Sequence, residues 1–474
     1  METEQKRGSF TGSIGFVLAA AGSAVGLGNI WRFPYLAAKD NGGVFLLCYV
    51  VLALTFGFAL LTTEVAIGRK TQQGPLTAYG RINRRWGFLG IFGCLVPTLI
   101  LPYYCAIGGW VFKYFTTYAT WQAESAAGDT YFTGFITGWW EPLLFMLAFL
   151  LFTAVVVFTG VDKGIEKLSK FLMPALVVLV VGISIYSLTI SHTDEATGET
   201  RTGIDGLLVY IIPNFSGMTL QNWFTVVMDA MGQLFFSISV AMGIMIAYGS
   251  YMPKKTNLMR SINEIEIFDT VIAILSGMMI VPAVIVFMGQ EGMTGGPGLM
   301  FISLPKVFYN GMGHIVGSII GILFFLMVSF AALTSSISIM EAIVSSLIDR
   351  FRLSRQKAVI IVSLYALVVG VAVCFGYNLF YFEMPMPNDP ASTGQILDIL
   401  DYITNNCIMP LLALLTCILI GWVAKPKTVI DEVCEGNCKF RRRHLYVIMI
   451  KFVAPVLLFA LLMNSVGLMH LIGL

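Results

Sequence analysis

The chain has 474 residues, 57% of them hydrophobic and 12% charged, and that composition excludes a water-soluble globule. A net charge of only +2 gives no reason to expect a nucleic-acid partner, and the placement of Lys and Arg says more than their total. The lipid bilayer is the solvent in which this sequence folds.

A hydrocarbon core about 30 Å thick takes about 20 apolar residues per helical crossing. On that measure eleven spanning helices are expected, near residues 12–37, 43–68, 87–118, 141–160, 168–190, 221–250, 264–290, 315–348, 357–380, 396–424 and 446–472. The runs are too long and too uniformly apolar for barrel strands, so the fold class is an all-α polytopic membrane protein. Glu2, Glu4, Lys6 and Arg7 precede the first run without a small-residue cleavage site, so that run reads as a retained helix. With the N-terminus cytoplasmic, 23 of the 29 Lys and Arg residues fall on cytoplasmic segments, including Arg69, Lys70, Lys254, Arg350 and the cluster from Lys439 to Arg443. Eleven crossings of the inner membrane then put the C-terminus on the extracytoplasmic side.

Loops are short except for the external segments 191–220 and 291–314, so any function must be built between helices. Of eight cysteines, six lie in spans, while Cys434 and Cys438 share the last cytoplasmic loop with nothing to complete a metal site. Spans one and six are unusual. Each interrupts an apolar run with small and polar residues, from Gly22 to Asn29 in the first and from Ser237 to Gly243 in the sixth. Two broken helices five spans apart suggest a 5+5 inverted repeat, 12–190 and 221–424, plus an extra helix at 446–472, in one transporter domain with its binding site at the midplane. The competing reading is that Gly22 and Gly26 merely let helices pack closely, although Asn29 and Arg32 serve no such face.

Unwound backbone is tolerated inside a membrane only where it lines a cavity or binds a ligand. Free carbonyls suit a cation, and free amides at a half-helix N-terminus suit a carboxylate. A segment offering both can hold a zwitterion and a hard cation such as sodium, which prefers oxygen ligands. Thr334, Ser335 and Ser336 place three hydroxyls in the apolar eighth span, although such groups often bond back to their own helix. Asp269 in the seventh span costs at least about 2.5 kcal/mol at membrane depth, so it should face a cavity or a cation unless it lies nearer the interface. Glu64 reads equally well as a snorkelling surface acid or as a buried support for a broken helix.

The run from Gly26 to Pro34, with Asn41, Gly42 and Gly43 downstream, resembles the signature of the neurotransmitter:sodium symporter family. The stretches from Gly232 to Ser237, from Leu333 to Ser336 and from Pro102 to Tyr104 resemble that family's sixth, eighth and third helices, most closely those of its eleven-helix bacterial branch. The resemblance implies symport of a neutral L-amino acid with two sodium ions by alternating access, with no enzymatic activity and no organic cofactor. It implies a first sodium site at Ala24, Asn29, Ser237 and Asp269, and a second at Gly22, Val25, Ala331, Thr334 and Ser335. The substrate carboxylate would meet Leu27, Gly28 and Tyr104, the ammonium would meet carbonyls near Ala24, Phe236 and Ser239, and Ser237 would also belong to the substrate site. The side-chain pocket would add Ile100, Met242, Ser335 and Ile339, which offer no charge to pair, so a hydrophobic or aromatic side chain is expected.

Asp269 departs from members with Asn there, and the resemblance then implies independence from chloride. Arg32, Gln233 and Asp401 would form an outer gate, and Arg7, Tyr251 and Asp349 an inner one, with Phe10 replacing a Trp. Ala241 stands where many members have Gly. A homodimer is left open. Proton coupling through Asp269 or Glu64, and an amino-acid sensor without transport, are the rival functions. An intramembrane enzyme is disfavoured because His192, His314, His444 and His470 scatter over loops and ends.

Overall fold

The computed structural model describes residues 8–193, 198–293, 295–387, 389–435 and 439–468. Among these, nine helices are long and apolar enough to cross a membrane: Gly43–Thr71, Arg84–Ala119, Glu141–Thr159, Val161–Thr189, Leu258–Met288, His314–Phe351, Arg355–Phe375, Ile396–Val423 and Arg443–Ser465. A tenth crossing is the pair Ser13–Ala24 and Gly28–Lys39, bent by 54°. Leu220–Ser237 and Ile244–Ser250, parted by residues 238–243, form a second interrupted helix at the expected sixth position.

Boundaries differ from expectation where a polar cap outweighs hydropathy. The seventh span begins at Leu258 rather than 264, because the Asn257 side chain accepts the Arg260 amide at 3.0 Å and starts the helix among polar residues. The ninth ends at Phe375 rather than 380. The external segment 191–220 is structured: Ser191–Thr193 pairs with Thr200–Thr202, and the helix Gly203–Ile211 follows behind a Thr202–Asp205 capping box. A second hairpin joins Met384–Met386 to Asp389–Gly394.

Burial sorts the crossings into two layers. The most apolar windows of the second, third, seventh and eighth are 61–67% buried, whereas those of the fourth, fifth, ninth and eleventh are 33–39% buried. The first group forms the inner bundle around the broken helices, and the second presents its remaining surface to lipid. The inner half of the sixth span is pressed backbone to backbone against the second. A Cβ on Gly68 would lie 2.0 Å from the Ile246 carbonyl, and one on Gly249 would lie 2.5 Å from that of Val65.

Candidate functional site

The first break is short. Ala24 closes the inner half-helix, the Val25 amide still bonds to Ala21, and the Gly26 amide turns back onto the Ala24 carbonyl at 2.9 Å before helix resumes at Gly28. Its glycines are contact points. A Cβ on Gly26 would lie 2.8 Å from the Ser335 hydroxyl and 3.4 Å from that of Tyr104, and one on Gly28 would sit 2.2 Å from the Phe236 ring. Only glycine lets spans three, six and eight close on this turn.

The sixth break is longer and strained. Ser239, Ala241 and Gly243 all take left-handed backbone conformations, with φ of +52°, +57° and +71°. For Ser239 and Ala241 this costs about 1–2 kcal/mol each. The strap is braced from the second span, where Glu64 is buried and its Oε1 accepts the Ala241 amide at 2.6 Å. Of the two readings open for Glu64, the buried support is the one observed, and its Oε2 has no partner among the described residues.

Between the breaks lies a buried polar cluster. Asp269 accepts from Asn29 Nδ2 at 2.8 Å, from Ser237 Oγ at 2.7 and 2.8 Å, and from the Tyr49 hydroxyl at 3.2 Å. All four residues are fully buried. Asn29 Oδ1 has no partner among the described residues, so an acceptor oxygen stands beside a carboxylate where both residues are fully buried. Two oxygens unopposed by a cation are expensive there, and a hard cation relieves both. Tyr49, absent from the expected set, completes the cluster; no charge or helix break marked it in the sequence.

Next to this cluster is a cavity of about 20 Å3 lined by Ser23, Gly26, Ile100, Tyr104, Phe236, Ser239, Met242, Ile244, Ser335 and Ile339. Its free volume is room for about one water, so a bulkier occupant enters only as the lining side chains move aside. Ile100, Tyr104, Phe236, Ser239, Met242, Ser335 and Ile339 of the expected set line it. Ala24, Leu27 and Gly28 belong to the adjacent turn. The Tyr104 hydroxyl is buried and without a hydrogen-bond partner among the described residues. One pole of the cavity is a hydroxyl network in which the expected Ser239 and Ser335 are joined by Ser23 and Ser338, neither of them in the expected site. Ser338 donates to Ser23 at 2.7 Å, Ser23 donates to Ser239 at 3.1 Å, and Ser335 reaches the Ser23 carbonyl at 3.2 Å.

On the other side of the first break, the Thr334 side chain lies 3.2 Å from where a Gly22 Cβ would be. Thr334 spends its proton on the Phe330 and Ala331 carbonyls at 3.0 and 3.1 Å, which leaves its oxygen as an acceptor. Ser336 instead bonds Leu333 and Thr153. Of the expected second site, Thr334 is therefore placed against Gly22 and Ala331, while the Ser335 hydroxyl points to the Ser23 carbonyl.

Arg32 makes no ion pair within 4.0 Å among the described residues. It acts on Asp401 through space, while Asp401 accepts Tyr103 at 3.1 Å and Asn405 at 2.6 Å, and Gln233 donates to the Gly28 carbonyl at 3.1 Å. On the inner side Arg7 lies outside the described residues. Asp349 accepts the Gly74 amide at 2.5 Å, and Tyr251 donates to Glu341 at 2.6 Å. Glu341, fully buried and paired with Arg355, was overlooked in the sequence, although the cost argument applied to Asp269 holds equally for it. Phe10, in place of the Trp of many family members, packs edge to face on Phe16, Tyr248 and Tyr251.

Fold and site together define an ion-coupled membrane carrier built on two broken helices, and not an enzyme. The chain belongs to the Sodium:neurotransmitter symporter family, whose profile matches residues 7–131 and 139–472. It is 31% identical to the sodium-dependent transporter YhdH of Bacillus subtilis over 98% of this chain and 99% of that one. It is 26% identical to the rat sodium- and chloride-dependent GABA transporter 2 over 80% of this chain and 69% of that protein. Among solved structures, that of MhsT in complex with L-phenylalanine matches 97% of this chain and 100% of its own, at 31% identity and a TM-score of 0.83. Membership implies dependence on sodium.

Proposed function

We propose that this protein carries a neutral, hydrophobic or aromatic L-amino acid into the cell together with two sodium ions, by alternating access and without chloride. The observation that carries the reading is the buried Asn29–Ser237–Asp269 cluster, with its unpartnered Asn29 oxygen beside a cavity whose Tyr104 hydroxyl is also unpartnered. One sodium would take the Ala24 carbonyl, Asn29, Ser237 and Asp269 together with the substrate carboxylate. The carboxylate would also meet the Leu27 and Gly28 amides and Tyr104, and the ammonium would meet carbonyls near Ala24, Phe236 and Ser239. The second sodium would take the carbonyls of Gly22, Val25 and Ala331 and the hydroxyls of Thr334 and Ser335. Asp269 supplies a fixed negative charge at the first ion, which is the charge a bound anion would otherwise provide.

The driving force is sufficient. Two cations moving inward at about 100 mV and down a tenfold gradient release roughly 7 kcal/mol, enough for an accumulation ratio on the order of 10⁵. The two halves, 12–190 and 221–424, would rock about the paired breaks, with Arg32, Gln233 and Asp401 closing the outer path and Arg7, Tyr251 and Asp349 the inner. The test is uptake of labelled L-amino acids into proteoliposomes. Accumulation of a neutral amino acid is expected under a sodium gradient, with gluconate in place of chloride as well as without it, and not under potassium. Accumulation driven equally by a proton gradient, or collapse in gluconate, would remove the corresponding part of the reading.

A further inference from the structure

On the face where the Lys- and Arg-rich loops gather, two open grooves meet. The first, of about 330 Å3, lies between Arg260 and Asn263 of the seventh span and Lys439, Arg441 and Arg442 ahead of the eleventh. The second, of about 600 Å3, is apolar and runs along Ile267, Val271 and Leu275 of the seventh span, facing Ile14 of the first and Val177 of the fifth. Glu264 and Ile267 line both, so a polar groove of headgroup size opens onto an apolar one of acyl-chain size.

The cations of the first groove are held in place. Phe440 is buried against Phe58 with ring centres 6.2 Å apart, and the Arg442 guanidinium lies 3.6 Å from the centre of the same Phe58 ring. Arg442 is committed to Glu266 at 2.6 Å and to Asn263, and Arg260 to Glu264 at 2.8 Å. Lys439 and Arg441, on either side of the pinned Phe440, are exposed and form no ion pair among the described residues. Two uncompensated cations therefore stand at the mouth of a groove whose apolar continuation leaves Ile14 70% and Ile267 60% exposed. A zwitterionic headgroup brings its own cation to this mouth, whereas an anionic phosphodiester neutralises it, and its acyl chain covers the aliphatic wall.

We propose that the paired grooves form a site for an anionic phospholipid of the adjacent leaflet, its phosphate at Lys439 and Arg441 and one acyl chain along Ile267 and Val271. The site is separate from the carrier's central cavity and independent of which solute is moved.

Delipidated full-length protein is titrated with phosphatidylglycerol, with phosphatidylcholine and with glycerol phosphate, and adducts are resolved by native mass spectrometry. Wild type is expected to hold one phosphatidylglycerol on the order of 20-fold more tightly than phosphatidylcholine, and glycerol phosphate not at all. Lys439→Gln with Arg441→Gln should abolish that preference, and Arg441→Gln alone should reduce it about fivefold. Both variants change exposed positions and should melt with wild type in phosphatidylcholine, and the single variant reports should the double one fold poorly. Equal retention of the two lipids by wild type, or a preference unchanged in both variants, overturns the proposal. Glycerol phosphate bound as tightly as phosphatidylglycerol overturns it as well, in favour of a soluble anion.

Discussion

The two broken spans solve one problem by different physical means. The first break is brief, has no left-handed residue between Val25 and Leu27, and depends on small residues, with Gly22, Gly26 and Gly28 admitting Thr334, Ser335 and Phe236. The sixth is longer, holds two non-glycine residues in left-handed conformations, and is fastened by the Glu64 carboxylate. A tight turn excludes water by packing, whereas a strained strap needs a buried acceptor for the amide it frees. The outer halves are then tied directly, Lys39 to Asp229 at 2.7 Å.

The largest test of this comparison lies where the two breaks meet. Asp269→Ala leaves Asn29, Ser237 and Tyr49 without their shared acceptor, and sodium-driven uptake should fall more than 100-fold, on the order of 3 kcal/mol. Asp269→Asn should instead restore uptake only when chloride is present. Glu64→Ala attacks the sixth break alone, where the Ala241 amide loses its acceptor. The protein should lose about 1–3 kcal/mol of stability, read as a lower melting temperature in detergent. Gly28→Ala attacks the first. Its methyl group would displace the Phe236 ring, so substrate affinity should weaken about tenfold and overpacking should cost about 1–3 kcal/mol of stability.

Smaller effects sharpen the contrast. Ala241→Gly should relieve the sixth break by about 1 kcal/mol and raise the melting temperature slightly, with no equivalent gain at Val25. At the outer tie, burial and the neighbouring Asp229 carboxylate push Asp40 up to about 7, partly offset by Lys39. Because the folded-state value is raised, protonated Asp40 favours the fold, and that contribution is lost as pH rises through about 7. Wild type should therefore melt lower at pH 8 than at pH 5, and Asp40→Asn should reduce that difference.

Much of the site was legible because membrane burial makes certain residues costly. Asp269, the hydroxyls at 334–336 and the small-residue breaks stand out against apolar helices, and each is found in the interior. Tyr49, Ser23 and Ser338 were not legible, since an aromatic or a serine in a span reads as ordinary packing until its partner on another helix is known. Glu341 was legible in principle, because a carboxylate within an apolar span is costly wherever it lies. The outer gate shows the converse. Arg32 and Asp401 were expected together in an outer gate, and the Tyr103 hydroxyl and Asn405 amide that bond Asp401 Oδ1 were not foreseen.

Taken alone, the sequence determined what the bilayer enforces: helices rather than strands, about eleven of them, two with interrupted backbones, and oxygen-bearing residues at depth. Hydrophobic length and the cost of a buried charge act on each segment separately, so they can be read one segment at a time. Only the tertiary structure decided which oxygens share a proton and which stand unpartnered, that Glu64 braces Ala241, and that a cationic groove opens onto an apolar one. Those depend on distances between helices far apart in the chain, and no local pattern encodes them.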